Sequence, residues 1–153
     1  MKVAMTHPFL ENAAALDEFV AEWRAGRLPK AAWTHAAHVA ACAYFAVGQE
    51  REATFAVMKR GILYFNVAVG TANTRSSGYH ETLTRLWAAV IVDHVAAAGC
   101  ATRFEAACSA VERFGEDRAL HRRYYSFDVA RDERARAEWV APDVTAPEIL
   151  SRR

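Results

Sequence analysis

The chain has 153 residues and a mass of 17.0 kDa, which fits one domain that needs neither disulfides nor a structural metal to hold its core. Hydrophobic residues make up 53% of the sequence and charged residues 24%, so disorder over most of its length is not expected. The formal net charge of +1 argues against a protein whose main partner is nucleic acid.

The cysteines and the hydropathy pattern predict a soluble cytoplasmic protein. Cys42, Cys100 and Cys108 form no pair with metal-ligand spacing. No stretch approaches the ~18 consecutive apolar residues of a membrane span, and no secretory signal is recognised before the first helix. A reducing cytoplasm and the absence of a membrane partner are therefore expected, while the oligomeric state stays open.

Apolar residues recur at helical spacing almost throughout the chain, and strand-like alternation is scarce. A first helix is predicted over about 12–25 and a third over about 50–69. The second helix ends near Val47. Its start is open between Lys30, which follows a proline, and Thr34, which can cap a helix.

The second half of the chain continues the helical pattern after a break. Residues 70–78 are small and polar with two glycines, which predicts a loop. A fourth helix follows over about 79–98. Thr102 and Glu105 have capping-box spacing, which predicts the start of a fifth helix, and one or two shorter helices are expected over 116–139.

These elements predict an all-α fold, a compact bundle of about five to seven helices. One domain is expected over 1–153, with an ordered core over about 12–140 and an irregular tail after Pro142. The arginine-dense stretch 118–136 mixes both signs of charge. Such mixing is typical of a solvated helix face and not of a phosphate-binding surface.

Two histidine-containing stretches carry the candidate chemistry. In WTHAAH, His35 and His38 lie three residues apart, so both imidazoles are expected on one helix face. In GYHETLT, His80 falls on the stripe of the fourth helix that points into the bundle, whereas Glu81 is rotated by about 100°. Glu81 is therefore expected to be a cap, a partner of a ligand or a surface acid.

One hypothesis is that His35, His38 and His80 converge on a divalent transition metal, with zinc, iron, nickel and copper all compatible with three imidazoles. Two alternatives stay open: a metal-free polar pocket, and histidines that bond only to nearby backbone. In a catalytic pocket, His80 and Glu81 are the candidate acid–base residues, because imidazole titrates near physiological pH. The cofactor is unknown.

Further polar and aromatic residues are candidates for ligand binding. Arg75 can fix a carboxylate or a phosphate with two hydrogen bonds, and the adjoining helix N-terminus favours an anion. The alternative is that Asn73 and Thr74 shape a turn while Arg75 is solvated. The candidate ligand-binding residues are Trp33, Asn66, Asn73, Thr74, Arg75 and Tyr79.

The order of these motifs resembles a family of small bacterial helical proteins of unknown function. Its members carry W-T-H-x-x-H, N-x-x-x-G-x-x-N-T and G-Y-H-E-T-x-T segments and end in a Y-S to W-V-x-P-D segment. In this chain the pattern extends from about Leu28 to Asp143, and Cys42 falls outside it. The resemblance implies a functional pocket at the motif residues but no particular reaction.

The leading interpretation is a pocket for a small molecule, with or without a metal, between the second helix, the fourth helix and the 70–78 loop. The alternative is a non-catalytic module that uses the same pocket, without a metal, to bind a small anionic metabolite or a partner protein. Whether the protein is an enzyme stays open. The relative positions of the three imidazoles distinguish a metal site from a metal-free pocket.

Overall fold

The computed structural model describes residues 7–144, where it contains six α-helices and no β-strand. The predicted all-α helical bundle is therefore confirmed. No helix in this range is long and apolar enough to cross a membrane. Most of the predicted irregular tail lies outside the described residues. The helices are α1 (Ala13–Arg24), α2 (His35–Ala46), α3 (Arg51–Ala68), α4 (Glu81–Ala97), α5 (Arg103–Phe114) and α6 (Glu133–Ala137).

Three helices begin at side-chain caps, and two of these, at Thr34 and Thr102, are predicted from the sequence. Asn12, Thr34 and Thr102 each accept a hydrogen bond from the backbone N–H three residues further on, at 2.8, 3.2 and 3.1 Å. Each cap satisfies a backbone donor that the first helical turn leaves without a partner. Glu105 bonds back to the N–H of Ala101, so the predicted capping box closes one residue before the Thr102 cap.

The starts of α2 and α4 refine the predicted boundaries. Lys30–Ala32 forms a separate 3-10 turn, and α2 begins after the Thr34 cap. At α4, His80 has extended backbone angles (φ −131°, ψ 110°) and caps the helix, so α4 begins at Glu81. His80 is therefore the cap of α4 and not a residue within the helix as predicted, but its side chain does point into the bundle, where it lines the same cavity as Leu83 and Trp87. Its ring is buried because it serves as the cap.

Helix α2 lies at the centre of the bundle and packs against α3, α4 and α5. Its buried face is rich in alanine, whose small side chain allows neighbouring helices to approach closely. Helix α1 packs on α3 through Trp23, which is fully buried. A Cβ atom at Gly61 would lie 2.2 Å from the Trp23 ring, so this contact requires glycine. The packing brings the N-terminal ends of α2 and α4 together beside α3.

Candidate functional site

A cavity of about 660 Å³ lies where α2, α3 and α4 meet. This volume is within the range typical of small-molecule sites. Much of its wall is apolar and includes Met58, Ile62, Leu83 and Ile91. Among residues 7–144, no aspartate or glutamate side chain lines it. The polar and charged lining residues are Thr34, His35, His38, Asn66, Thr71, Tyr79, His80, Thr84, Arg118 and His121.

Hydrogen bonds to backbone carbonyls fix the proton positions on His35 and His38. His35 Nε2 lies 3.0 Å from the carbonyl oxygen of Phe114, and His38 Nδ1 lies 2.7 Å from that of Thr34. Because a carbonyl oxygen can only accept, both of these nitrogens carry the hydrogen. The neutral rings therefore keep a lone pair on Nδ1 of His35 and on Nε2 of His38.

Burial keeps both imidazoles neutral. It lowers the pKa of His38 to about 4, and the positive charges of a protonated His35 and of Arg118 act in the same direction. Burial also lowers the pKa of His35 from its ordinary value, with Arg118 contributing again. At neutral pH each ring is therefore one hydrogen-bond donor and one acceptor, with the donor already used by a carbonyl.

Trp33, a candidate ligand-binding residue, forms an aromatic part of the cavity wall. Its ring stacks on Trp23 with centroids 4.7 Å apart and lies 3.9 Å from the ring of His38. The buried indole N–H of Trp33 has no hydrogen-bond partner in the described part of the chain. Trp87 lines the cavity as well, with its ring 5.2 Å from His35 in an edge-on arrangement.

His80 also lines the cavity, but both of its ring nitrogens are bonded to backbone. Nδ1 accepts from the N–H of Leu83 at 3.1 Å, so Nε2 carries the hydrogen and donates to the carbonyl of Val129 at 2.9 Å. Burial lowers the pKa of this imidazole, and Arg136 lowers it further. In this arrangement His80 has no lone pair to offer a metal or a substrate.

The structure thus brings the three predicted metal ligands to one cavity without forming a three-histidine site. Residues 7–144 contain no group of three or more His, Cys, Asp or Glu side chains placed to hold a metal ion. Of these three predicted ligands, His35 through Nδ1 and His38 through Nε2 keep an imidazole lone pair available. Metal binding through these two histidines stays a prediction.

Glu81, the other predicted catalytic residue, is buried but does not line the cavity. It accepts a hydrogen bond from the hydroxyl of Tyr79 at 2.8 Å and pairs with Lys59 at 3.0 Å and Arg85 at 3.4 Å. Burial raises the pKa of Glu81, but the bonds from Lys59 and Tyr79 outweigh it, so the net shift is downward. Glu81 therefore orients Tyr79, which lines the cavity.

The 70–78 loop contributes less to the cavity than the sequence predicts. Asn66 lines the cavity, and its Nδ2 donates to Oδ1 of Asn73, which also accepts from the N–H of Tyr79. Thr74 bonds within the turn to Ser76 and Ser77, as the turn alternative expects. Asn73, Thr74 and Arg75 do not line the cavity, and Arg75 is exposed.

Sequence reasoning missed Arg118 and His121, which line the cavity from the segment after α5. Both lie in the 118–136 stretch, which was interpreted as a solvated helix face, and neither is among the candidate site residues. His121 is half-buried, and burial lowers its pKa. Neither residue belongs to a local motif. Long-range packing places them, so a single sequence gives no signal for them.

A second groove of about 620 Å³ lies between α3 and α4. Four of its five charged groups are already paired: Arg51 lies 2.8 Å from Asp93, and Arg85 lies 3.0 Å from Glu52. A ligand there would have to compete with these ion pairs, because ionic groups that satisfy one another leave little for a third partner. The histidine-lined cavity therefore offers more unused polar groups.

No family model, curated protein or solved structure matches this chain. A function is therefore inferred from the geometry of the cavity.

Proposed function

We propose that this protein binds a small organic molecule in the histidine-lined cavity and does so without a metal. The main supporting observation is the chemistry of the wall. An apolar surface is combined with neutral imidazoles whose donors are already satisfied by backbone carbonyls. Ligand sites typically have such a wall, in which a few fixed polar groups set the orientation of the ligand.

The bonding of His80 favours the metal-free alternative. Ligation through either nitrogen would break a buried hydrogen bond to Leu83 N or to Val129 O. Leaving a buried backbone group without a partner costs about 1–3 kcal/mol. His35 and His38 alone are fewer protein ligands than the three typical of catalytic zinc sites.

The proton affinities favour binding over acid–base catalysis. With a pKa of about 4, His38 is a weak base at neutral pH, whereas general bases work best when their pKa is close to the operating pH. Glu81 does not line the cavity, and its carboxylate is held by Lys59 and Tyr79. Neither group is suited to remove a proton from a ligand.

The bacterial family that the motifs resemble is proposed to share this cavity. Nine of its motif residues line the cavity although they come from different elements of the fold: Trp33, Thr34, His35, His38, Asn66, Gly78, Tyr79, His80 and Thr84. Because residues from separate motifs meet in one cavity, we propose that the motifs serve to form a ligand site.

Two neighbouring aliphatic residues on α3 provide the test. Ile62 lines the cavity and Leu63 does not, while both are half-buried and have side chains of the same size. Small molecules that bind the wild type in a thermal-shift and NMR screen should lose at least tenfold in affinity with Ile62→Trp, which fills the cavity. They should keep their affinity with Leu63→Trp. Equal affinity in both variants would mean that the ligand binds elsewhere, and turnover of a bound compound would favour the catalytic alternative.

A further inference from the structure

Arg118 is the cationic residue of the cavity wall. It lies in the turn between α5 and the 3-10 turn Leu120–Arg123, and it is exposed. Its side chain makes no hydrogen bond or ion pair with any residue of the described range. Its charge lowers the pKa of both His35 and His38, so its field reaches the imidazoles inside the cavity.

No negative charge in the wall balances this guanidinium. Acidic side chains are absent from the lining among residues 7–144. The neighbouring carboxylate of Asp117 is paired with Arg123 at 2.7 Å. Burial lowers the pKa of the cavity histidines, so they add no positive charge at neutral pH. The wall thus presents one uncompensated positive charge, which matches a ligand with a single negative charge.

The imidazole of His38 requires a hydrogen-bond donor from the ligand, whereas Arg118 requires an acceptor. Its Nδ1–H is used by the carbonyl of Thr34, so Nε2 can only accept a hydrogen bond. A ligand that satisfies this nitrogen must supply an O–H or N–H group. Met58, Ile62 and Ile91 line the same cavity, and their aliphatic side chains favour a ligand with an apolar body.

We infer that the ligand is an organic carboxylate with an apolar body and a hydrogen-bond donor, its carboxylate held by Arg118 and its donor bonded to Nε2 of His38. This inference rests on the proposed function, because it names the chemical class of the molecule bound in the same cavity. A carboxylate matches the single charge of one guanidinium, and the two planar groups can form paired hydrogen bonds.

The test uses matched sets of probes on the full chain by isothermal titration calorimetry and NMR. Hydroxyaryl and indolyl carboxylic acids of different chain length are compared with their primary amides and with acids that lack the donor. The acids with a donor should bind about tenfold or more tightly than either matched set, since a charge-assisted hydrogen bond contributes this much.

Two variants test which residue causes each binding preference. Arg118→Gln should abolish the preference for acids over amides, whereas Arg122→Gln, an exposed arginine outside the cavity, should preserve it. His38→Phe should abolish the preference for probes with a donor. Circular dichroism and Tm confirm that each variant is folded. Amides that bind as tightly as acids, or a preference that survives Arg118→Gln, would overturn the inference.

The outcomes separate this inference from the proposed function. If neutral and charged probes bind equally and Ile62→Trp abolishes both, the cavity is a ligand site but not one for carboxylates. If the probes that bind the wild type are all unaffected by Ile62→Trp, the proposed function fails. If no probe of any set shifts the NMR signals of the cavity residues, the carboxylate inference is overturned while the wider ligand screen still tests the proposed function.

Discussion

His80 Nε2 donates a hydrogen bond of 2.9 Å to the carbonyl oxygen of Val129, which lies 49 residues further along the chain. The other nitrogen of the same ring accepts from the N–H of Leu83 and caps α4. One buried imidazole therefore joins the start of α4 to the segment before α6. Arg136 reinforces the same junction by donating to the carbonyl of Gly78 at 2.7 Å.

His80→Ala is expected to lower the free energy of unfolding by about 2–4 kcal/mol. It removes a helix cap, worth about 1 kcal/mol, and leaves the carbonyl of Val129 without its buried partner. His80→Asn should recover the cap but not the bond to Val129, and so should be intermediate. Urea denaturation monitored by circular dichroism measures both changes. A loss for His80→Ala no larger than that for an exposed residue such as Arg131→Ala would contradict this role.

Protonation of His38 should destabilise the fold as the pH falls. The pKa is about 4 in the folded chain against an ordinary 6.5, so between these values the unfolded chain takes up a proton that the folded chain does not. Stability is therefore present at neutral pH and falls with decreasing pH, by up to about 2 kcal/mol between pH 7 and 5. Urea titrations at several pH values give the free energy of unfolding as a function of pH. This free energy should fall less steeply with decreasing pH in His38→Gln than in the wild type. An identical pH dependence in the two proteins would contradict the assignment of the effect to His38.

Gly78 and Gly70 form a matched pair in the loop before α4. Both have positive φ, +79° at Gly78 and +78° at Gly70. A Cβ added at Gly78 would lie 2.5 Å from the carbonyl oxygen of Ala72, whereas a Cβ added at Gly70 would have no atom of a neighbouring residue within 4 Å. Gly70→Ala should cost about 1 kcal/mol from backbone strain alone. Gly78→Ala should cost about 3 kcal/mol because the loop must also shift. Equal losses in thermal denaturation would show that the contact is easily relieved.

Glu81→Gln tests whether this carboxylate acts in the cavity or stabilises its wall. Removing its charge leaves Lys59 and Arg85 without a buried partner, and the expected loss of stability is about 2 kcal/mol. Glu52 also pairs with Arg85, but its side chain is 71% exposed, so Glu52→Gln should cost less than about 1 kcal/mol. Affinity for the carboxylate probes should change less than tenfold in either variant. A larger loss restricted to Glu81→Gln would mean direct participation.

Elemental analysis tests the predicted metal site directly. Because both nitrogens of His80 are bonded to backbone, purified protein is expected to carry well under one equivalent of zinc, iron, nickel or copper. One full equivalent that is lost in His38→Ala but kept in Glu81→Gln would falsify this expectation and support a metal centre on the cavity histidines.

The helices could be predicted because their signals are local. The caps at Thr34 and Thr102 depend on a few neighbouring residues, and both lie where the sequence indicates. The predicted start of α4 lies two residues too early because His80 caps the helix, and histidine is not among the residues usually preferred at that position. No local pattern encodes a carbonyl 49 residues away.

The candidate site could be predicted only where a residue belongs to a motif. His35, His38, Trp33, Asn66 and Tyr79 all line the cavity, although sequence alone gave no distance between them. The other polar residues of the cavity wall depend on how α5 and the segment after it pack. That packing brings Arg118 and His121 to the wall and leaves Arg75, the arginine that the sequence favours, at the exposed loop.

Two of the four tryptophans, Trp33 and Trp87, line the cavity, and Trp33 stacks on Trp23 with centroids 4.7 Å apart. A molecule in the cavity changes the environment of Trp33 and Trp87, while Trp139 lies in the other groove. The intrinsic fluorescence of the unlabelled protein is therefore an optical readout of cavity occupancy, even for a ligand that itself absorbs no light.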